Sequence, residues 1–193
     1  LAEAANGKLL LPKRWSDIST MTISYGHGLA ASPLHLDTAY ATIANGGTRI
    51  TPTILKTATR QQGERVMSEA VAHEVTDMMR QVVTRGTASF GEVPGYSVGG
   101  KTGTADKTMP KGGYYKDKVM ATFASVFPTN APKYVLIVSL DEPVETTGTE
   151  PRRTAGWTAV PVGAEIIRRA APLLGMRPEL EQVSEAEVIR VRN

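Results

Sequence analysis

A lysine, two threonines and two glycines stand together at Gly100-Lys101-Thr102-Gly103-Thr104, and this group suits two different kinds of chemistry. Residues 95–102 match the G-x-x-x-x-G-K-[ST] pattern of a phosphate-binding loop, in which backbone N–H groups and the lysine hold a nucleotide's phosphates. The same residues also suit a β-strand beside a nucleophilic serine, where an ammonium, hydroxyls and a backbone N–H hold an acyl-transfer substrate. The elements around this segment decide between the two.

The residues that flank this segment oppose a phosphate-binding loop. Such a loop needs a buried strand before its first glycine and a helix that begins at the Lys-Thr pair, because the helix N-terminus helps to hold the phosphates. Gly91 and Pro94 interrupt the stretch before residue 95, and Gly103 and Pro110 disfavour a helix after the pair. The sequence therefore favours a strand, and a P-loop nucleotide hydrolase is a remote alternative.

Hydrophobic periodicity and turn residues predict the elements that position this strand. The predicted elements are helices over residues 33–45, 68–86 and 158–174, an extended stretch over 49–59, and strands over 98–105, 119–127 and 134–140. The turn at 128–132 is so short that the last two strands must be antiparallel, whereas P-loop proteins have parallel sheets. The sequence thus predicts an α+β fold in which helices flank an antiparallel sheet.

The apolar residues of two predicted helices recur at helical spacing and mark the faces that we expect to be buried. These faces consist of Val71, Val75, Met78 and Val82 in the second helix and of Gly163, Ile166, Ile167, Ala170 and Leu173 in the last. The adjacent methionines Met78 and Met79 are expected to fill the core, since flexible thioethers adapt to irregular gaps.

Composition opposes several classes of protein. With 193 residues, of which 41% are hydrophobic and 21% charged, the chain has the composition of a globular protein. A net charge of +3 with only isolated basic pairs opposes nucleic-acid binding. The chain has no cysteine and its three histidines lack ligand spacing, so neither a metal nor a cofactor is expected. No apolar run approaches the roughly 20 residues of a membrane helix.

Six stretches, in the same order along the chain, resemble the C-terminal part of the transpeptidase domain of class B penicillin-binding proteins of the division type. The stretches are Arg14–Ile18, Ser24–Leu29, Ser32–Leu36, Ala39–Gly47, Val93–Ala105 and Phe123–Pro128. The resemblance implies a penicillin-binding, serine β-lactamase-like fold, with residues 1–178 as part of the transpeptidase domain and 179–193 as a tail. Residues 101–103 resemble the K-T-G motif of penicillin-interacting serine enzymes.

The resemblance implies roles for the residues of this motif. Lys101 would supply positive charge and an ammonium donor near a serine of the family's second motif, and Gly103 would let the substrate approach the backbone closely. The hydroxyls of Thr102 and Thr104 would bind the carboxylate of the substrate or of a β-lactam, and the Thr104 N–H would form half of the oxyanion hole. A peptidoglycan stem peptide would pair along the strand edge.

The sequence also predicts the surroundings of the motif. Ala105 and Asp106 continue the strand and are expected to contact substrate. Residues 25–28 predict a tight turn that leads into the first helix, and residues 108–116 predict a mobile flap. Trp157 is expected to be a hinge or core residue, because the stretch before it lacks the aromatic pair that often walls the site in this family.

The chain lacks the two other motifs of the family. No serine is followed by a lysine three positions later, and no S-x-N or Y-x-N triplet occurs. Both motifs precede K-T-G in the family, so we expect the nucleophile in an N-terminal part of the same protein and predict that this chain alone is inactive. The full-length protein would be a serine-type D,D-transpeptidase that cross-links peptidoglycan stem peptides through an acyl-serine intermediate and binds β-lactams. The alternative is a non-catalytic module that binds cell-wall peptide or division partners.

The same resemblance implies a place in the cell. We expect the protein on the periplasmic side of the bacterial inner membrane, anchored by a segment outside this chain. Membrane proteins of the divisome are expected partners, and no cofactor is implied.

Overall fold

A computed structural model describes residues 9, 11–56 and 62–179 of the chain as helices on an antiparallel sheet. The helices are α1 (Asp17–Ile23), α2 (Pro33–Ala44), α3 (Glu69–Arg85) and α4 (Ala159–Leu173), with a short 3-10 helix at Ser89–Gly91. The strands are β1 (Thr48–Arg49), β2 (Glu64–Arg65), β3 (Gly99–Thr108), β4 (Tyr114–Phe127) and β5 (Tyr134–Asp141). This arrangement confirms the predicted α+β class.

The main sheet has the order β3-β4-β5, and both pairings are antiparallel. Thr104 lies opposite Ala121 on β4, and Ala121 lies opposite Leu140 on β5. Within the part of the chain that the structure describes, β3 pairs only with β4 and is therefore an edge strand. The two-residue strands β1 and β2 form a separate small ribbon.

The hydrophobic core lies between β4 and α4, and Val83 of α3, a helix that packs against β3, also belongs to it. Phe123 of β4 is fully buried at its centre, and glycines bring the surrounding backbone close to its ring. A methyl group at Gly163 of α4, for example, would lie only 2.7 Å from Cδ1 of Phe123. Ala124 and Val126 point to the opposite side of the strand and are also buried, so both faces of β4 are covered.

Serine caps begin the first three helices. The side-chain oxygens of Ser16, Ser32 and Ser68 each accept a backbone N–H from the third residue of the helix that follows. The caps at Ser32 and Ser68 confirm the predicted starts of α2 and α3. Helix α1 was not predicted, although Ser16 and Ser19 form a reciprocal capping box there.

The buried face of α3 lies one position along from the predicted one. It consists of Ala72, Thr76, Met79 and Val83, whereas Val71 is exposed and Met78 exposes 59% of its surface. The prediction was wrong because it ranked large apolar side chains above alanine and threonine, whereas Ala72 and Thr76 lie on the face that α3 buries. Only Met79 of the methionine pair fills the core.

Small residues also decide the buried face of α4. Gly163 and Ile167 are buried as predicted, but Ile166 is exposed and Leu173 exposes 88% of its surface. Their places in the core are taken by Ala159, Val160 and Ala171. Because the ring of Phe123 lies directly beneath Gly163, a side chain at that position would not fit between α4 and the sheet.

Two stretches differ from their predicted structure. The predicted extended stretch over 49–59 is a strand only at its start: β1 ends at Arg49, residues 50–56 are irregular, and residues 57–61 lie outside the described part. The predicted flap over 108–116 is largely a hairpin, since β3 continues to Thr108 and β4 begins at Tyr114. A hydrogen bond of 2.9 Å from Met109 N–H to the Gly113 oxygen closes its end.

The described chain ends beside the sheet. Glu179 donates its N–H to the Gly95 oxygen at 2.8 Å and accepts a hydrogen bond from the Asn130 amide at 2.6 Å. The rest of the predicted tail, residues 180–193, lies outside the described residues. Among the described helices, none combines the length and apolar character needed to cross a bilayer.

Candidate active site on the edge strand

The first two residues of β3 lie in the core, and the strand then runs out along the edge of the sheet. Gly99 and Gly100 are buried, and a methyl group at Gly100 would lie 2.6 Å from both the Ala124 oxygen and a carbon of the Phe123 ring. From Lys101 onward the strand runs at the edge of the sheet, and most of its residues are exposed. Because side chains alternate along a strand, Thr102 and Thr104 share one side, and Lys101 and Gly103 share the other.

Lys101 presents an exposed ammonium that no carboxylate neutralises in the described part of the chain. Its Nζ donates to the backbone oxygen of Thr102 at 2.7 Å. The second lysine of the strand, Lys107, is held quite differently, because its Nζ lies 2.9 Å from Asp141 and 2.7 Å from Glu142. These two carboxylates, Asp141 first, raise the pKa of Lys107 above its ordinary value.

The hydroxyls of Thr102 and Thr104 are held by neighbouring parts of the fold. Thr102 Oγ1 lies 2.7 Å from Oγ1 of Thr87, and Thr104 Oγ1 accepts the backbone N–H of Ala155 at 3.0 Å. Both threonines line a cavity of about 420 Å³, together with Thr87, Phe90 and Trp157. The two hydroxyls are therefore fixed at the wall of an open cavity.

The described fold does not require a glycine at position 103. A methyl group there would meet only the Thr122 oxygen, at 4.0 Å, and the residue does not adopt a left-handed conformation. This leaves close approach of a ligand to the strand as the remaining physical reason for its missing side chain.

An aromatic wall borders the threonine cavity, although the sequence left such a wall in doubt. The indole of Trp157 contacts two neighbouring side chains. The guanidinium of Arg152 is 3.7 Å from its ring centre, and the centre of the Phe90 ring is 5.0 Å away. Trp157 exposes 39% of its surface and is not a core residue. Neither Phe90 nor Arg152 was predicted to belong to this wall, because Phe90 comes from a distant segment and the stacking of Arg152 depends on the conformation of the loop before α4.

The outer half of β3 faces a second cavity of about 910 Å³. Ala105 and Asp106 lie on one side of it, and the turn at residues 25–28 lies on the other. Gly26 and Gly28 have φ values of +93° and +91°, which confirms the predicted tight turn. The structure thus places the predicted site residues on one strand, where Thr102 and Thr104 line the first cavity and Thr104, Ala105 and Asp106 line the second.

The carboxylates at the end of β5 are not arranged to hold the magnesium ion that accompanies a phosphate-binding loop. Asp141 and Glu142 are ion-paired with Lys107, and Glu142 also pairs with Lys118 at 3.1 Å. No cluster of three or more metal-ligating side chains occurs among the described residues. Because residues 99–108 form a strand and no helix begins at Lys101, the segment is not a phosphate-binding loop.

Comparison with known proteins identifies the family. Residues 1–167 match the family model described as the penicillin-binding protein transpeptidase domain. The chain belongs to this family. A probable peptidoglycan D,D-transpeptidase FtsI of Caulobacter vibrioides is 37% identical over 187 residues, which cover 92% of this chain and 32% of the relative.

Solved structures of the family have the same fold. The apo transpeptidase domain of Burkholderia pseudomallei penicillin-binding protein 3 is 39% identical, with a TM-score of 0.79 over 90% of this chain and 52% of that one. Penicillin-binding protein 3 of Mycobacterium tuberculosis in complex with aztreonam is 30% identical, with a TM-score of 0.76 over 90% of this chain and 42% of that one. The chain therefore spans about a third of the Caulobacter relative and about half of the Burkholderia structure.

Proposed function

We propose that the full-length protein containing this chain is a serine-type peptidoglycan D,D-transpeptidase and that this chain supplies the substrate-binding wall of its active site. One observation carries the proposal: β3 presents two anchored threonine hydroxyls and a lysine that has no carboxylate partner among the described residues, all at an open sheet edge. An extended peptide can pair along such an edge while the hydroxyls hold its carboxylate and the lysine supplies positive charge nearby.

The proposed reaction has two steps. A serine Oγ attacks the carbonyl of the donor stem peptide, and the terminal residue leaves with the electron pair of the broken C–N bond and a proton. The amine of a second stem peptide then attacks the acyl-serine, which forms the cross-link and regenerates the serine. The Thr102 and Thr104 hydroxyls hold the donor carboxylate, and the Thr104 N–H stabilises the oxyanion. Lys101, on the other side of the strand, supplies positive charge and an ammonium donor near the serine of the family's second motif.

We infer that the nucleophile belongs to an N-terminal part of the same protein, since the chain has no S-x-x-K motif. An apolar surface in the described part supports this. On α1 and just beyond it, Ile18 and Tyr25 expose 71% and 73% of their surface, and Leu29, Leu34 and Leu36 line an apolar cavity of about 630 Å³. Such a surface is usually covered by another part of the protein.

The ligands and surroundings follow from the same proposal. The substrates are peptidoglycan stem peptides, and β-lactams are inhibitors, as suggested by the aztreonam complex of the Mycobacterium protein. The protein would act on the periplasmic side of the bacterial inner membrane, anchored by a segment outside this chain, with divisome membrane proteins as partners. The division role is supported by the name FtsI of the Caulobacter relative.

A fluorescent penicillin tests the proposal. We expect a covalent label on the full-length protein that unlabelled penicillin prevents, and no label on the isolated chain, which lacks the nucleophile. If the folded full-length protein remains unlabelled but still binds stem peptide, it is the non-catalytic module instead, and the transpeptidase proposal fails.

A further inference from the structure

The segment between β5 and α4 forms a closed loop that ends on the candidate site. Glu145 and Arg152 face each other in an isolated antiparallel bridge, with N–H···O distances of 2.8 and 3.0 Å in the two directions. Three residues after Arg152, the N–H of Ala155 donates to Thr104 Oγ1. The loop therefore connects the end of the sheet to a residue of the K-T-G strand.

The side chain of Arg152 fixes the closing half of this loop. Its guanidinium stacks 3.7 Å from the centre of the Trp157 ring, and its Nη1 lies 3.9 Å from Oε2 of Glu145. This Oε2 is buried and has no hydrogen-bond partner among the described residues, so Arg152 supplies its compensating charge. Oε1 of Glu145 accepts hydrogen bonds from the N–H and the hydroxyl of Thr147. Since Glu145 already neutralises Arg152, the guanidinium acts within the loop and is not a free anion-binding group.

Ala155 lies between the two anchored ends, Arg152 and Trp157. It is buried, so its position depends on how these neighbours pack. A threonine hydroxyl has one hydrogen to donate and two lone pairs. Because Thr104 Oγ1 accepts from Ala155, its own hydrogen is directed away from that N–H and can be donated to an acceptor in the cavity.

We propose that the Arg152–Trp157 stack is a positioning device for Thr104: it holds the Ala155 N–H against Thr104 Oγ1, so that the hydroxyl donates to the carboxylate of the acyl donor. The inference rests on the proposed function, because it assumes that Thr104 contacts this carboxylate. Arg152 and Trp157 themselves are positioning residues, since they act on the ligand through Ala155 and Thr104.

The test compares benzylpenicillin with its methyl ester, which lacks the anionic acceptor. Acylation rates of the full-length protein are measured with both compounds for the wild type and for Arg152→Ala and Trp157→Leu. We expect both variants to lose about tenfold in the preference for acid over ester, the size of a lost hydrogen bond to a charged group. Their rates with the ester should change by no more than about twofold.

Matched variants separate positioning from folding. Arg153→Ala removes the same charge from the adjacent residue, which forms no ion pair among the described residues, and should keep the wild-type preference. Trp157→Phe keeps an aromatic ring and should restore most of the preference lost in Trp157→Leu. If Arg152→Ala fails to fold, Arg152→Lys replaces it, because the lysine keeps the charge but loses the flat stack.

Two results would overturn the inference. One is an unchanged preference for the acid in Arg152→Ala, Arg152→Lys and Trp157→Leu, and the other is an equal loss with acid and ester, which would indicate a purely structural role. A wild-type protein that reacts with neither compound would instead overturn the proposed function on which the inference rests.

Discussion

Near its two ends and in between, β3 contains the same two residue types, lysine and glycine, in different surroundings. Lys107 and Gly100 are explained by the fold: the lysine is ion-paired with Asp141 and Glu142, and the glycine makes room for Phe123. Lys101 and Gly103 have no such explanation in the described structure. Residues that the fold does not require are the ones whose replacement should affect the reaction most.

The two lysines give the largest expected contrast. In the full-length protein, Lys101→Ala should lower the rate of acylation by penicillin at least about 100-fold, because a positioned charge in the site is lost. Its melting temperature should stay close to the wild-type value, since the side chain is exposed and forms no ion pair with the residues that the structure describes. Lys107→Met serves as the matched control and should keep the acylation rate within about twofold. Equal losses of rate in the two variants would contradict the assignment.

The two glycines should separate stability from activity. Gly100→Ala should destabilise the protein by about 1–3 kcal/mol, because its methyl group overlaps the Phe123 ring and the Ala124 oxygen. Gly103→Ala has space for the methyl group and should keep its stability, but should slow acylation roughly tenfold by displacing the ligand. Chemical denaturation and penicillin-labelling rates measure the two effects. A destabilised Gly103→Ala variant would show that the fold does require this glycine.

The smallest expected effect concerns the ion pairs of Lys107. The pKa of Glu142 is lowered from its ordinary value of 4.5, mainly by hydrogen bonds from Lys107 and then Lys118. A lowered pKa in the folded state adds stability above the unfolded pKa, and this stability is lost as the pH falls through the folded value. Lys107→Met should therefore lower the melting temperature slightly at neutral pH, and the difference from wild type should shrink below about pH 4.

A charge-matched variant controls for this pH effect. Lys116→Met removes a lysine that pairs with no carboxylate in the described residues, and it should show no such pH-dependent difference. A Lys107→Met deficit that stays constant from neutral pH to about pH 3 would contradict the role of Glu142.

Local signals in the sequence predicted most of the elements around the site. Alternation and a short turn predicted β4 and β5, flanking glycines and prolines favoured a strand over a helix at β3, and serine caps predicted the starts of α2 and α3. The buried faces of α3 and α4 were only partly predictable, because alanine and threonine are buried on α3 and a glycine is buried on α4, where Phe123 leaves little room. Periodicity of large apolar residues cannot show this.

Long-range contacts made the rest of the site unpredictable. The carboxylate partners of Lys107 lie 34 and 35 residues further along the chain, and the donor to Thr104 lies 51 residues away. The wall around Trp157 is likewise assembled from two distant segments, one at Phe90 and one that contains both Arg152 and Trp157. The motif indicated which residues carry chemistry, but the groups that hold them depend on the tertiary fold.

Mapping the acylated residue tests the central claim most directly. The full-length protein is treated with penicillin and digested, and the modified peptide is identified by mass spectrometry. The account predicts one adduct on a serine N-terminal to this chain and none within residues 1–193, with the adduct lost in Lys101→Ala. An adduct on a serine of this chain would contradict the claim that β3 supplies the substrate-binding wall and not the nucleophile.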